Sequence, residues 1–169
     1  MKKKCLSILT ATVTLGLCLY GSNARSQSAN GMLYTDDYAH HVGVGIQLGA
    51  PIGVNAKYWL NDMLAVDGAF GLSPYAHAPA EIHADFLVHD FDLFSLDSGK
   101  LPVYFGAGLV GRFRDDGRSD LGGFRFPIGI SYMFEDVPID IFAEVAPEVI
   151  FAPFGRGYLD GAVGIRFWF

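Results

Sequence analysis

The chain has 169 residues, of which 51% are hydrophobic, 14% aromatic and 18% charged, with a mean hydropathy of +0.28. That composition excludes an intrinsically disordered chain, whose signature is low hydrophobicity. The net charge of −6 argues against a nucleic-acid binder built on phosphate neutralisation, and after residue 30 no run of about 18 uncharged apolar residues offers a transmembrane helix.

Residues 1–24 have the order of a secretory leader. Lys2, Lys3 and Lys4 form a cationic start, Leu6 to Tyr20 an apolar stretch, and Ser22-Asn23-Ala24 the small-residue exit that places cleavage after Ala24. Removing these 24 residues leaves 145. Cys5 and Cys18 leave with the leader, and the loss of its three lysines takes the net charge from −6 to −9. An exported chain without cysteine has no disulfide framework and must hold itself by packing or by the lipid around it. Residues 25–41 are polar and read as an N-terminal lead-in.

From residue 42 the apolar pattern has period 2, the signature of strands. Turn-forming clusters interrupt it at Ala50-Pro51, Asn61-Asp62, Ser73 to Pro79, Asp97 to Lys100, Asp115 to Asp120, Glu135-Asp136 and Ala152 to Gly157. The breaks predict eight strands near 42–49, 52–60, 63–72, 81–94, 101–113, 121–134, 137–151 and 157–169. In the last strand Leu159, Val163, Ile165, Phe167 and Phe169 alternate with Asp160, Arg166 and Trp168. In the seventh, Ile139, Ile141, Ala143, Val145 and Val149 alternate with Asp140, Glu144 and Glu148. One face of the whole sheet is therefore apolar, and the other mixes charge, glycine and a few aromatics.

Two closed structures fit this pattern. A soluble periplasmic, lipocalin-like carrier of an apolar ligand puts the apolar face inside; a membrane barrel puts it outside. Three features favour the second. Glycines crowd the charged parity, as at Gly43, Gly45, Gly106, Gly108, Gly129 and Gly164. Inside a narrow barrel they make room for long side chains, whereas on a solvated face they only weaken strands. Aromatics on the apolar parity gather toward strand ends, among them Tyr58, Phe134, Phe167 and Phe169 at one rim and Phe70, Phe113, Phe124 and Phe151 at the other, as membrane interfaces select. The final strand ends on Phe167-Trp168-Phe169, which resembles the assembly signal of outer-membrane barrels, with Phe167 and Phe169 carrying it. A Lys or Arg facing the bilayer midplane costs about 2–4 kcal/mol, so the charged parity belongs inside.

The pattern over residues 42–169 resembles small eight-stranded outer-membrane barrels of the OmpA and OmpX type. The segments Lys57 to Leu60, Leu101 to Gly106, Arg125 to Gly129 and Phe134 to Phe142 look like a less characterised family of such barrels. The resemblance implies fold and location and carries over no activity. The expected fold is all-β, a closed eight-stranded antiparallel up-and-down transmembrane β-barrel after a cleaved signal peptide, in the outer membrane of a diderm bacterium. Its expected partners are outer-membrane lipid and the barrel-assembly machinery, and its expected state is a monomer. An even strand number puts both termini on the periplasmic side.

The lumenal charge network expected from parity comprises Lys57, Asp67, Asp85, Arg112, Arg125, Asp140, Glu144, Glu148, Asp160 and Arg166. Setting Leu60 opposite Leu64 places Lys57 opposite Asp67. Setting Phe134 opposite Val137 places Arg125 opposite Ala146, with Glu144 and Glu148 as diagonal neighbours. Lys57–Asp67 and Arg125–Glu144–Glu148 are the expected pairings. Eight strands enclose an interior just wide enough for side chains, so a plugged, structural or surface-interaction protein is the main reading, and a narrow proton or ion pore lined by Glu144, Glu148 and Asp85 is an alternative. His83 and His89, six residues apart on one strand, stand about 20 Å from each other and cannot share a metal. His40-His41 read as part of the lead-in. Ser73, His77 and Ser131 form no recognisable nucleophile motif. The sequence thus points to no enzyme, cofactor or metal site. Its surface contacts are expected at Ser73–Pro79 and Arg114–Gly122.

Overall fold

Alternating residue type along the chain becomes alternating side-chain direction in the computed structural model, which describes residues 41–75, 79–115, 119–152 and 155–169. The expected leader, most of the lead-in, His40 and His77 lie outside the described residues. Among the described residues there are nine strands: β1 (Val42–Gly49), β2 (Ile52–Trp59), β3 (Leu64–Leu72), β4 (Ala80–Asp90), β5 (Val103–Phe113), β6 (Leu121–Arg125), β7 (Ile128–Met133), β8 (Ile139–Ala152) and β9 (Arg156–Trp168). All pairings are antiparallel. The ladder runs from β1 to β5, passes through β6 and β7, which both lie between β5 and β8, and returns through β9 to β1. The closing seam sets Gly43 opposite Trp168 and Gly49 opposite Ala162. Nine strands thus fill eight positions of a ring. Both described chain ends, and the connections after β2, β4 and β7, lie at one end, here called proximal; the connections after β1, β3, β5 and β8 lie at the distal end.

The expectation of one strand over residues 121–134 is corrected. Pro127 has no N–H to give to the ladder and fixes its own φ, so β6 ends at Arg125 and β7 starts at Ile128. The position in the ring is kept, because Phe126 N donates to Pro147 O over 3.0 Å and Gly106 N donates to Pro127 O over 2.9 Å. The fourth strand also ends earlier than expected, at Asp90, whose Oδ1 accepts from Asp92 N at 2.9 Å. This local bond gives the backbone an alternative to the ladder and opens a long connection over residues 91–102.

The turn after β7 is wider than expected as well. Phe134 N donates to Ile139 O, not toward Val137, and Pro138 O accepts from Trp168 N at 2.8 Å. The register of β7 against β8 therefore slides by two residues, with Ile128 opposite Val145 and Met133 opposite Asp140. A slide of two preserves the faces, since side chains repeat every second residue. Arg125 now stands opposite Glu148 instead of Ala146.

Inside and outside are sharply divided. The outward parity exposes Leu48 at 63%, Leu72 at 66% and Leu159 at 67%, while Lys57, Arg112, Arg125 and Arg166 inside are each 1% exposed. The apolar-inside arrangement of a soluble carrier is not the one found. Two interior glycines show how the charges fit. A Cβ at Gly108 would collide with the Asp85 carboxylate, and one at Gly129 would collide with the Tyr104 ring.

Candidate functional site

The interior of the ring holds a network of buried charge in three tiers. Each tier follows from the strand parity that turns every second residue inward.

The distal tier centres on Arg112 of β5. Its Nε donates to Glu81 Oε2 at 2.7 Å and its Nη2 to Asp160 Oδ2 at 2.7 Å, with Glu148 Oε2 at 2.6 Å from Nη2. Ser73 Oγ donates to the same Glu81 oxygen. The guanidinium lies beside two phenol rings that meet edge to face, 4.6 Å from that of Tyr75 and 4.7 Å from that of Tyr158, a cation–π arrangement. Tyr75 belongs to the β3–β4 connection and reaches across to β9, where its hydroxyl donates to Asp160 Oδ1 at 2.7 Å. Burial, and then the bond to that carboxylate, push the Tyr75 hydroxyl above the ordinary tyrosine range. The carboxylates of Glu81, Glu148 and Asp160 lie within 4.8 Å of one another, a spacing that suits a cation. Arg112 touches all three and is the cation they hold.

In the middle tier Arg125 of β6 pairs with Glu144 of β8 through Nη2 and with Asp85 of β4 through Nε at 3.3 Å. His83 Nε2 is 3.9 Å from Asp85 Oδ2. The expected Arg125–Glu144–Glu148 cluster is thus divided. Glu144 stays with Arg125, Asp85 joins it from β4 across Gly108 of the intervening β5, and Glu148 turns to Arg112.

The proximal tier centres on Arg166 of β9. Nη1 donates to Asp67 Oδ2 at 2.6 Å and to Asn55 Oδ1 at 3.2 Å, and Nη2 to Asp140 Oδ2 at 2.9 Å. The guanidinium carbon is 4.2 Å from the Phe142 ring centre. Lys57 stands opposite Asp67 in the ladder, but the expected Lys57–Asp67 ion pair is replaced. Asp67 is taken by Arg166 and by Asn55 Nδ2, and Lys57 Nζ lies 2.6 Å from His89 Nε2. Its Nζ is also 5.0 Å from the Trp59 ring centre and 4.8 Å from that of Tyr104. His89 Nδ1 faces Met63 O at 3.2 Å, so the consistent tautomer donates from Nδ1 and accepts from Lys57 at Nε2.

Nine of the ten residues expected in the network are buried in the interior, and the tenth, Glu144, is half-buried and pairs there with Arg125. Glu81, Asn55, His83, His89 and Tyr104 join them there. The parity of β2, β4 and β5 already put these five on the inward face; the reach of Tyr75 from a connection has no such signal. Seven acids share the interior with four cations, counting Glu81 with the ten expected residues. Among the described residues no hydrogen bond joins Ser73 or Ser131 to a histidine, and Ser131 Oγ has no partner. The geometry gathers ionic and aromatic groups that brace the ring.

Neither protein-family models nor curated proteins match the chain. Among solved structures, it is similar to the N-terminal β-barrel domain of OprF from Pseudomonas aeruginosa. The TM-score is 0.60 at 18% identity, over 76% of this chain and 96% of that one. The likeness shows the fold, an all-β antiparallel barrel of the kind found in that domain.

Proposed function

We propose that the protein is an exported, monomeric outer-membrane β-barrel with a plugged lumen and a structural or surface-interaction role. Residues 1–24 are its leader, 25–41 its lead-in and 42–169 its barrel. One observation carries this reading: the ring is apolar outside and ionic inside. In water that arrangement would expose a continuous apolar surface far larger than a soluble monomer shows. In a bilayer it is the required one, because lipid accepts the apolar band while closure leaves no unpaired edge. The OprF domain supports the fold side of the proposal. The terminal Phe167-Trp168-Phe169 is the element that the barrel-assembly machinery would read.

The three tiers support the plugged lumen. Arg112, Arg125 and Arg166 each bridge carboxylates on different strands, so the cross-section is tied together at three heights. Cell fractionation tests the location: recovery with outer membranes and a heat-modifiable gel mobility are expected, and recovery in the soluble periplasm would reject it. Planar-bilayer recording tests the plug. Silence is expected, and a steady cation-selective current would replace the plug by a narrow pore.

A further inference from the structure

The two ends of the ring differ in a way the barrel reading does not require. Every connection at the proximal end presents exposed large apolar side chains: Leu60 and Met63 after β2, Leu93, Phe94 and Leu96 after β4, and Val137 after β7. Among the described residues of the distal connections there is none. The same three proximal connections carry Asp62, Asp92, Asp97, Glu135 and Asp136 against one cation, Lys100.

The longest of them, residues 91–102, is braced at both ends. At its start the Phe91 ring lies 6.0 Å from Trp59 and 6.3 Å from His89, with Lys100 Nζ 5.6 Å from it. At its end Ser98 Oγ donates to Glu135 Oε2 at 3.1 Å, and Tyr132 OH donates to Ser98 O at 3.3 Å. Its last residues rejoin the outer surface, where Leu101 lines an apolar groove of about 560 Å³ with Ile130, Tyr132 and Ile141. Between these anchors the chain holds Leu93, Phe94 and Leu96 out at 58%, 46% and 47% exposure.

We propose that this proximal rim is a docking surface for the lipid leaflet around it. Leu93, Phe94 and Leu96 form an insertion tip, and Asp92 and Asp97 contact the ammonium groups of an aminophospholipid. The inference rests on the membrane reading above and adds to it a lipid class and a set of residues. Continuity argues for lipid over a protein partner. The loop is tied to the outer face at its C-terminal end, through Tyr132 and through Leu101, which lines a groove on the lipid-facing band. A tyrosine with its ring on the apolar side and its hydroxyl on a loop carbonyl suits an interface that is oily on one side and wet on the other. Charge complementarity argues for the headgroup: a rim with five acids repels anionic lipid and attracts a headgroup that carries an exposed ammonium donor.

The test uses residues 25–169, the chain left once the leader and its Cys5 and Cys18 are removed, with single reporters introduced as Phe94→Cys, Leu96→Cys, Leu109→Cys and Ser119→Cys. Each carries an environment-sensitive fluorophore and is reconstituted into phosphatidylethanolamine–phosphatidylcholine vesicles. Leu109 reports the middle of the apolar band and Ser119 the distal end. The expected result is that lipid bearing a shallow spin label quenches the Phe94 and Leu96 reporters. Iodide should reach both several-fold less than it reaches Ser119. Replacing phosphatidylethanolamine by phosphatidylglycerol should reverse that shielding, and Asp92→Asn with Asp97→Asn should remove the dependence on headgroup. Open access of iodide to Phe94 and Leu96, with Leu109 still quenched by lipid, overturns the proposal, makes the loop a water-facing surface for a protein partner and leaves the membrane reading standing. Shielding that ignores headgroup overturns the ammonium assignment. A Leu109 reporter untouched by spin-labelled lipid overturns the membrane reading, and this proposal with it.

Discussion

Arg166 and Asp67 stand 99 positions apart in the chain, yet Nη1 of one donates to Oδ2 of the other at 2.6 Å. The bond crosses the interior from β9 to β3, strands that do not pair. With Asp140, its ladder partner on the neighbouring β8, also held by Arg166, one side chain ties the β8–β9 pair to β3. Arg166→Ala leaves two buried carboxylates without their cation, and breaking a buried pair in this way costs about 3–5 kcal/mol. Arg166→Lys keeps the charge but cannot reproduce the forked geometry, so its loss should be intermediate. Equilibrium unfolding in detergent or vesicles, followed by gel mobility, measures both.

Which partners a buried cation takes was less legible than which face it occupies. Along β8, the alternation of Ile139, Ile141 and Val145 with Asp140, Glu144 and Glu148 assigns every side chain to a face, because the strand period is two. The same parity reading held Lys57 opposite Asp67. It chose Arg125–Glu144 but not the other bonds, for two physical reasons. An Arg side chain spans several ladder positions, so Arg125 bypasses its opposite number Glu148 for Glu144 and Asp85. In a narrow ring, strands that are distant in order also meet, and Arg112 on β5 reaches Asp160 on β9. Pro127 and Pro138 then moved boundaries that turn residues alone had marked.

Gly129 and Tyr104 form a steric pair across the β5–β7 seam, where they are ladder partners. A Cβ at residue 129 would collide with Cζ and the hydroxyl oxygen of Tyr104 and with the Ala143 carbonyl. Gly129→Ala should therefore destabilise the ring by the 1–3 kcal/mol or so typical of overpacking. Tyr104→Leu removes the ring from that space, and the double variant should recover part of the loss. The coupling is read as the non-additivity of the four unfolding free energies.

Tyr75 separates a hydrogen bond from a ring contact at the distal mouth. Tyr75→Phe removes the donor to Asp160 but keeps a ring beside Arg112. Tyr75→Ala removes both and frees the β3–β4 connection from β9. Because Tyr75 is only partly buried, the first change should cost no more than about 1 kcal/mol. The second should cost more and, in addition, speed proteolytic cleavage within residues 73–79. Equal cleavage rates in the two variants would mean that the ring contact does not hold the connection down.

The outward face offers the clearest separation of lipid from water. Val145 lies midway along β8 and is 53% exposed, while Leu72 ends β3 at the distal rim and is 66% exposed. Neither makes room for an interior group, so in water an arginine at either site should change stability by about 0.5 kcal/mol or less. In a bilayer the cost depends on depth: about 2–4 kcal/mol near the midplane, falling to about 0–1 kcal/mol near the interface. Val145→Arg should accordingly be much more destabilising than Leu72→Arg when unfolding is measured in vesicles. In the same experiment Val145→Gln, which brings polarity without charge, should fall between wild type and Val145→Arg. Equal and small effects at the two depths would mean that the apolar belt does not face hydrocarbon, whatever the buried arginines do inside.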